Sequence, residues 1–383
     1  MDWENFVLNC CAFVAGLYLL HYGEDLFVDH LGIVAKRFKI PETLVVLLTV
    51  GAEWEELAIV IAAIYQHQPS LALGNVVGSC IANVLGAFGF GLLVHDFLPR
   101  FDRNSKVYAG ALLIVSSVYL YLALTGHLDL TGGIFFLVMF AVYLVSICSA
   151  IYDNILSPPP GPTVNFPTPD TMEESSPRSE DTLDEFHREL HISIFPTILQ
   201  CHPDESTPLV RHPDSSTISL EQVGSTTTLN GILYHAIRMF IGLLALTISA
   251  YLLVHASSSL ASALYLPPTT FGISLLSFFT TIPEKIPVAY ATWRGHSRVM
   301  VASTAGANIF LLSLCSGLIF VSGNGHEELA KDITAFEVWV VWICSLLLML
   351  IVFVRGRKWM GGILLGFYTA FIAGEITGGL GKS

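Results

Sequence analysis

Four glutamates stand in stretches otherwise too apolar to hold them. Glu53, Glu55 and Glu56 lie within Gly51-Ala52-Glu53-Trp54-Glu55-Glu56-Leu57, and Glu284 closes Thr280-Thr281-Ile282-Pro283-Glu284. A charged side chain at the centre of a bilayer costs about 2.5–3.5 kcal/mol even on the lenient insertion scale, so each of these acids needs a positive partner. On a helix Glu53 and Glu56 share a face, whereas Glu55 points about 100° away from Glu56. Thr280 and Thr281 add hydroxyls, and Pro283 frees backbone carbonyls near Glu284. Ser79 and Asn83 add a hydroxyl and an amide. Such oxygens are hard ligands, and a flexible shell of six to eight of them suits calcium better than magnesium. An assembled site would combine Glu56 and Glu284 with Ser79, Asn83, Thr280 and Thr281. Crowded carboxylates also compete for protons, so occupancy of the site is expected to respond to pH. Trp54 and Trp293 fit packing or interface roles better than ligand roles.

The elements that must position these residues are membrane helices. Of 383 residues, 13% are charged and 53% hydrophobic, where a soluble chain carries about a quarter charged. A membrane helix needs about 20 apolar residues. Ten spans are expected, at 6–22, 43–64, 71–95, 107–124, 131–151, 232–254, 269–293, 299–321, 335–354 and 360–380, the last the weakest. The first lacks a basic leading segment and a cleavage site, so it reads as a retained helix. With the amino terminus outside, twelve Lys and Arg fall on the inner side, the central loop apart, against Lys331 and Lys382 on the outer. Both termini are then non-cytosolic and the central loop is cytosolic. Lys285 falls inside a span.

Residues 152–231 hold 13 Asp and Glu against three Arg and are rich in Pro, Ser and Thr, the composition of a disordered acidic loop. His187, His191 and His202 read as solvated loop residues, and Ser176-Pro177-Arg178 as a phosphorylation motif of little specificity. The loop is the expected place for a regulatory partner. The seven cysteines show no disulfide framework or zinc spacing. No grouping of nucleophile, base and oxyanion donors is present, so an enzyme is not expected, nor is a cofactor or a nucleic-acid partner.

The chain also matches itself. At a constant offset of 228, Glu56 meets Glu284, Val60 meets Val288, Gly78 meets Gly306 and Ile81 meets Ile309. Upstream, the segment from Leu19 resembles that from Leu253 at an offset of 234. Five spans separate equivalent points, so equivalent helices cross in opposite directions. The expected fold is all-α and polytopic, about ten helices as two inverted five-helix repeats: a first at 1–151, the acidic loop at 152–231 and a second at 232–383. Such repeats place a binding site near mid-membrane where the halves meet.

At these residues the sequence resembles the cation/calcium exchanger superfamily, in its sodium/calcium exchanger branch, as a divergent member. The resemblance rests on Gly74-Asn75-Val76-Val77-Gly78-Ser79-Cys80-Ile81-Ala82-Asn83, on Thr280-Thr281-Ile282-Pro283-Glu284, on Ala302-Ser303-Thr304-Ala305-Gly306-Ala307-Asn308-Ile309-Phe310, and on the long loop between spans five and six. It implies an antiporter working by alternating access, with calcium moved against sodium or, in sister branches, protons or potassium. The family's acidic ligands fall on Glu56 and Glu284, its hydroxyl ligands on Ser79, Thr280 and Thr281, and an amide ligand on Asn83.

This chain departs from the pattern at several points. Ala52-Glu53-Trp54-Glu55 replaces the first Thr-Ser-x-Pro, Ala307 replaces a serine, Leu311 stands where an acid or amide is usual, and Lys285 follows the second glutamate. Glu53 is expected to replace some of the lost oxygens. Lys285 either joins the charge balance of the site or pairs with Glu55. The expected function is calcium exchanged for sodium, with potassium as a candidate co-ion. The alternatives are a proton-coupled calcium or other divalent-cation exchanger and, from another class, a transport-inactive membrane ion sensor or scaffold. The expected location is a eukaryotic endomembrane (vacuole, ER or Golgi) or the plasma membrane.

Overall fold

The computed structural model describes residues 3–38, 52–94, 101–152, 229–293, 297–322, 333–354 and 356–380. Ten helices lie among them: α1 (Trp3–Arg37), α2 (Trp54–Tyr65), α3 (Pro69–Val94), α4 (Arg103–Leu124), α5 (Leu130–Tyr152), α6 (Leu229–Ala263), α7 (268–293), α8 (297–321), α9 (Ala335–Val354) and α10 (Lys358–Leu380). Eight are long and apolar enough to cross a membrane. The two that are not, α2 and α7, carry the carboxylates. The acidic loop between α5 and α6, with its histidines and Ser176, lies outside the described residues, as does 43–51 at the start of the second span.

Two expected spans are much longer in the structure. The reading of 6–22 becomes the 35-residue α1, and that of 232–254 becomes the equally long α6. At 1.5 Å per residue each extends for about 52 Å, well beyond a hydrocarbon core of about 30 Å. The polar run His21-Tyr22-Gly23-Glu24-Asp25 ends the apolar pattern without ending the helix, because α1 lies along α6. There Gly23 sits under the backbone of Leu246, too close for any side chain. The second span is also not one helix throughout its described part. Ala52 and Glu53 are non-helical, and α2 begins at Trp54.

Helices α3 and α8 are buried along most of their length, while α1, α5 and α10 present most of theirs outward. The inverted repeat is visible in how the outer helices dock on these two. Gly133 of α5 meets Phe320 and Val321 of α8, and Gly317 of α8 meets Leu137 and the Gly133 carbonyl. In the matching pair, Gly361 of α10 meets Leu92 and Leu93 of α3, and Gly89 of α3 meets Leu364 and the Gly361 carbonyl. Gly133 and Gly361 are 228 apart, as are Gly89 and Gly317, so the same glycine-on-glycine contact is built twice. Both central helices also widen into a π turn at matching places, Ala82–Phe88 in α3 and Leu311–Cys315 in α8.

Caps and turns set the remaining boundaries. Asp102 caps α4 by accepting from the Ser105 N–H at 2.9 Å, and Asp129 caps α5 by accepting from the Gly132 N–H at 2.9 Å. Pro69 opens α3, where its missing N–H costs nothing.

Candidate cation site

The site forms where α3 crosses α7 beside the start of α2. The crossing is close because it is made by small residues. A methyl on Gly74 would collide with the Thr269 carbonyl, and one on Gly78 with the Ile273 carbonyl and the Ser277 hydroxyl. On α3, Asn75, Ser79 and Asn83 recur every four residues and so share one face; on α7, Thr280 and Thr281 share a face with Glu284. Pro283 and Pro287 lie in the same helix and leave the carbonyls four residues before them without their usual donors.

Three carboxylates meet here. One oxygen from each of Glu53, Glu56 and Glu284 lies within 4.8 Å of the others, although the residues are 228 or more apart across the halves. Glu53 precedes the first turn of α2 and Glu56 lies within it. Placing acids at a helix amino end sets their charge against its unpaired N–H groups, a favourable arrangement. The break at Ala52 and Glu53 thus does part of the work of holding charge inside an apolar protein.

Six oxygens of the sequence-identified residues are buried without a hydrogen-bond partner: both carboxylate oxygens of Glu56, Glu284 Oε2, Ser79 Oγ, Thr281 Oγ1 and Asn83 Oδ1. Glu56 is 1% exposed. Leaving a buried polar atom unpaired costs about 1–3 kcal/mol, and more when it is charged, a cost that a bound cation can offset. Thr280 is also buried, but its hydroxyl donates back to the Leu276 carbonyl at 3.2 Å, leaving only its lone pairs for an ion.

Lys285 takes part in the same cluster. Its Nζ donates to Glu53 Oε1 at 2.7 Å and to Glu284 Oε1 at 2.9 Å, with the residue 6% exposed. The alternative pairing of Lys285 with Glu55 is therefore not adopted. Glu55, turned about the helix from Glu56, faces α1 instead, where His21 Nδ1 lies 3.1 Å from Glu55 Oε1. His21, Glu24 and Glu55 bring their ligand atoms within 4.8 Å of one another, forming a second polar group between α1 and α2.

Three residues here were not singled out from sequence as site members. Asn75 is fully buried with both amide atoms unpaired, and its spacing of four from Ser79 was the available signal. Asn308 accepts from Asn83 Nδ2 at 3.0 Å and donates to the Cys80 carbonyl at 3.0 Å, joining α8 to α3. His21 gave no signal beyond its weak repeat match with His255. Trp54 packs edge-on against Phe27 at 5.1 Å, and the Trp293 side chain lies outside the described residues.

Several known proteins resemble this chain over most of its length. The chain is 24% identical to the sodium/calcium exchanger MaX1 of Methanosarcina acetivorans, over 95% of this chain and 97% of that protein. It is 20% identical to the uncharacterized membrane protein MJ0091 of Methanocaldococcus jannaschii, over 96% and 98%. Its fold matches the sodium-calcium exchanger NCX_Mj soaked with 2.5 mM Na+ and 10 mM Sr2+, with a TM-score of 0.52 and 20% identity over 96% of this chain and 99% of that one. The family model for sodium/calcium exchanger proteins matches residues 8–148 and 234–376, one block in each half. With both blocks matched and the carboxylates of the two halves brought together, the chain belongs to the sodium/calcium exchanger protein family.

Proposed function

We propose that this membrane cation exchanger is a secondary active antiporter that moves calcium in exchange for sodium, with potassium as a candidate co-ion, by alternating access. Glu56, Glu284, Ser79, Asn83, Thr280 and Thr281 hold the ion, and Glu53 supplies charge in place of the oxygens lost at Ala307 and Leu311. The observation that carries this reading is the set of six buried, unpartnered oxygens from both halves, a number and hardness suited to calcium. Sodium is favoured as counter-ion by the family and by the names of its relatives MaX1 and NCX_Mj.

In this reading residues 1–151 and 232–383 are the two transport halves and 152–231 is a cytosolic acidic loop where a regulatory partner would bind. The paired long helices α1 and α6 slide past a core of α2, α3, α7 and α8 to expose the ion to either side. A membrane location follows from the helices; a vacuolar, ER, Golgi or plasma membrane is part of the proposal.

Calcium uptake into proteoliposomes under outward sodium, potassium and proton gradients in turn tests it. Uptake driven by sodium supports the reading. Uptake driven only by protons supports the second one, a divalent cation/proton exchanger, which Leu311 and Ala307 favour because they remove two polar positions of the second repeat. Calcium binding without uptake under any gradient identifies a transport-inactive sensor.

A further inference from the structure

The three carboxylates that meet at the centre are not alone there. We infer that the Lys285 ammonium is a built-in monovalent cation of the transport site, and that it sets the exchange at two mobile monovalent ions per calcium, with no net charge moved. The inference rests on the antiporter reading above and adds to it a coupling ratio and the residue that fixes it.

The argument begins with which atoms Lys285 takes. It binds Oε1 of Glu53 and Oε1 of Glu284, one oxygen of each. Glu284 Oε2 and both oxygens of Glu56 remain buried and unpartnered. The lysine and an arriving ion therefore use different oxygens of the same cluster, and the ammonium has no need to leave when calcium enters. Neither can it dissociate, because it is tethered next in the chain to Glu284. A free sodium or potassium ion would exchange at this position; the lysine is retained through every cycle.

The charge count follows. With all three ionised, Glu53, Glu56 and Glu284 carry three negative charges, of which Lys285 cancels one; a proton on any of them counts as a monovalent ion. The remaining two are matched by one calcium ion. For the emptied site to return through an apolar protein, the same two charges must again be covered, which takes two monovalent ions. Without the lysine the emptied site would need three, while calcium would cover only two of the three charges and leave one to cross either uncovered or with a monovalent ion in the lysine's place. Glu55 stays outside this count because its carboxylate is turned to His21 and Glu24. The second half's Thr280-Thr281-Ile282-Pro283-Glu284 block is followed by Lys285, whereas at the offset of 228 the residue after Glu56 is Leu57, so the ammonium is a feature of one half only.

The test uses the full chain in proteoliposomes, with calcium flux driven by whichever monovalent gradient proves competent. At zero net flux a tenfold monovalent gradient should hold a calcium gradient of about a hundredfold, unchanged when a membrane potential is imposed with valinomycin and potassium, or with a proton ionophore where potassium is the driving ion. Lys285→Gln should either raise the balancing gradient to about a thousandfold at zero potential and make it voltage-dependent, or keep the ratio while carrying one monovalent tracer ion with each calcium, whereas the native protein and Lys285→Arg carry none. A voltage-dependent native exchanger overturns the inference, as does a Lys285→Gln variant that keeps the native ratio and carries no monovalent ion with calcium. Should Lys285→Gln fail to fold, the native and Lys285→Arg measurements still decide the matter. Absence of any native flux would refute the antiporter reading instead, which keeps the two failures apart.

Discussion

Asn83 of the first half donates its side-chain amide to Asn308 of the second at 3.0 Å, and Asn308 passes its own amide on to the Cys80 carbonyl. This arrangement fixes Asn83 with its Oδ1 unpaired and free for an ion. Asn308→Ala removes an acceptor and a donor in a fully buried place, so it should lower stability by about 1–3 kcal/mol and weaken calcium affinity as Asn83 loses its orientation. Thermal unfolding in detergent and calcium titration of the purified variant measure the two effects.

Glu56 has the most to lose from neutralisation, since both its oxygens are buried with no other partner. Glu56→Gln should reduce apparent calcium affinity more than tenfold, a loss of at least about 1.4 kcal/mol. Calcium dependence of uptake in proteoliposomes gives the number, and native affinity in this variant would remove Glu56 from the ligand set.

Glu53 and Lys285 form a buried ion pair; breaking such a pair from one side costs about 3–5 kcal/mol when the other charge is left alone, and less here because Lys285 keeps Glu284. Glu53→Gln should destabilise the protein and weaken calcium uptake. Combining it with Lys285→Gln should cost less than the sum of the two single changes, because the Glu53–Lys285 contact can be lost only once. A double-mutant cycle on thermal stability reads the coupling. Purely additive effects would show that the pair is not energetically joined.

At the α3–α7 crossing the obstacle to a side chain at Gly78 is largely backbone, which cannot swing aside. Gly78→Ala should cost about 1–3 kcal/mol through overpacking and separate Ser79 from the α7 hydroxyls. A fall in unfolding temperature together with weaker calcium binding is the expected result.

His21 lies outside the central carboxylates and reaches Glu55 from α1. If α1 slides during transport, this contact is made or broken in each cycle. His21→Ala should then change turnover by about fivefold with little effect on calcium affinity, the pattern of a conformational step. Initial rates across a range of calcium concentrations separate the two parameters.

Much of this protein is legible in its sequence, for reasons that differ by element. The helices are readable because hydrocarbon demands long apolar runs, and the carboxylates because their cost in such runs makes them conspicuous. The repeat was detectable through Glu56 and Glu284 but was thinly supported, and the glycine contacts at Gly89, Gly133, Gly317 and Gly361 that double it carry meaning only once the helices are docked. The lengths of α1 and α6 were not readable, since His21 to Asp25 looks like a helix end unless the neighbouring helices that shelter it are known. The destination of Lys285 was equally hidden. Helix geometry places it next to Glu284, but its choice of Glu53 over Glu55 depends on α2 beginning at Trp54, a boundary with no Pro, Gly or side-chain cap at Glu53 to announce it.

The paired wide turns in α3 and α8 have a bearing on how these helices tolerate change in length. A π turn accommodates one residue more than ordinary winding does over the same stretch. Excising a single residue from 82–88 would restore ordinary winding and leave everything beyond it nearly in phase, with Gly89 still facing Gly361. The same loss in 311–315 would leave Gly317 facing Gly133. A one-residue deletion in these two segments should therefore be borne better than one elsewhere in α3 or α8, where it would turn the rest of the helix by about 100°.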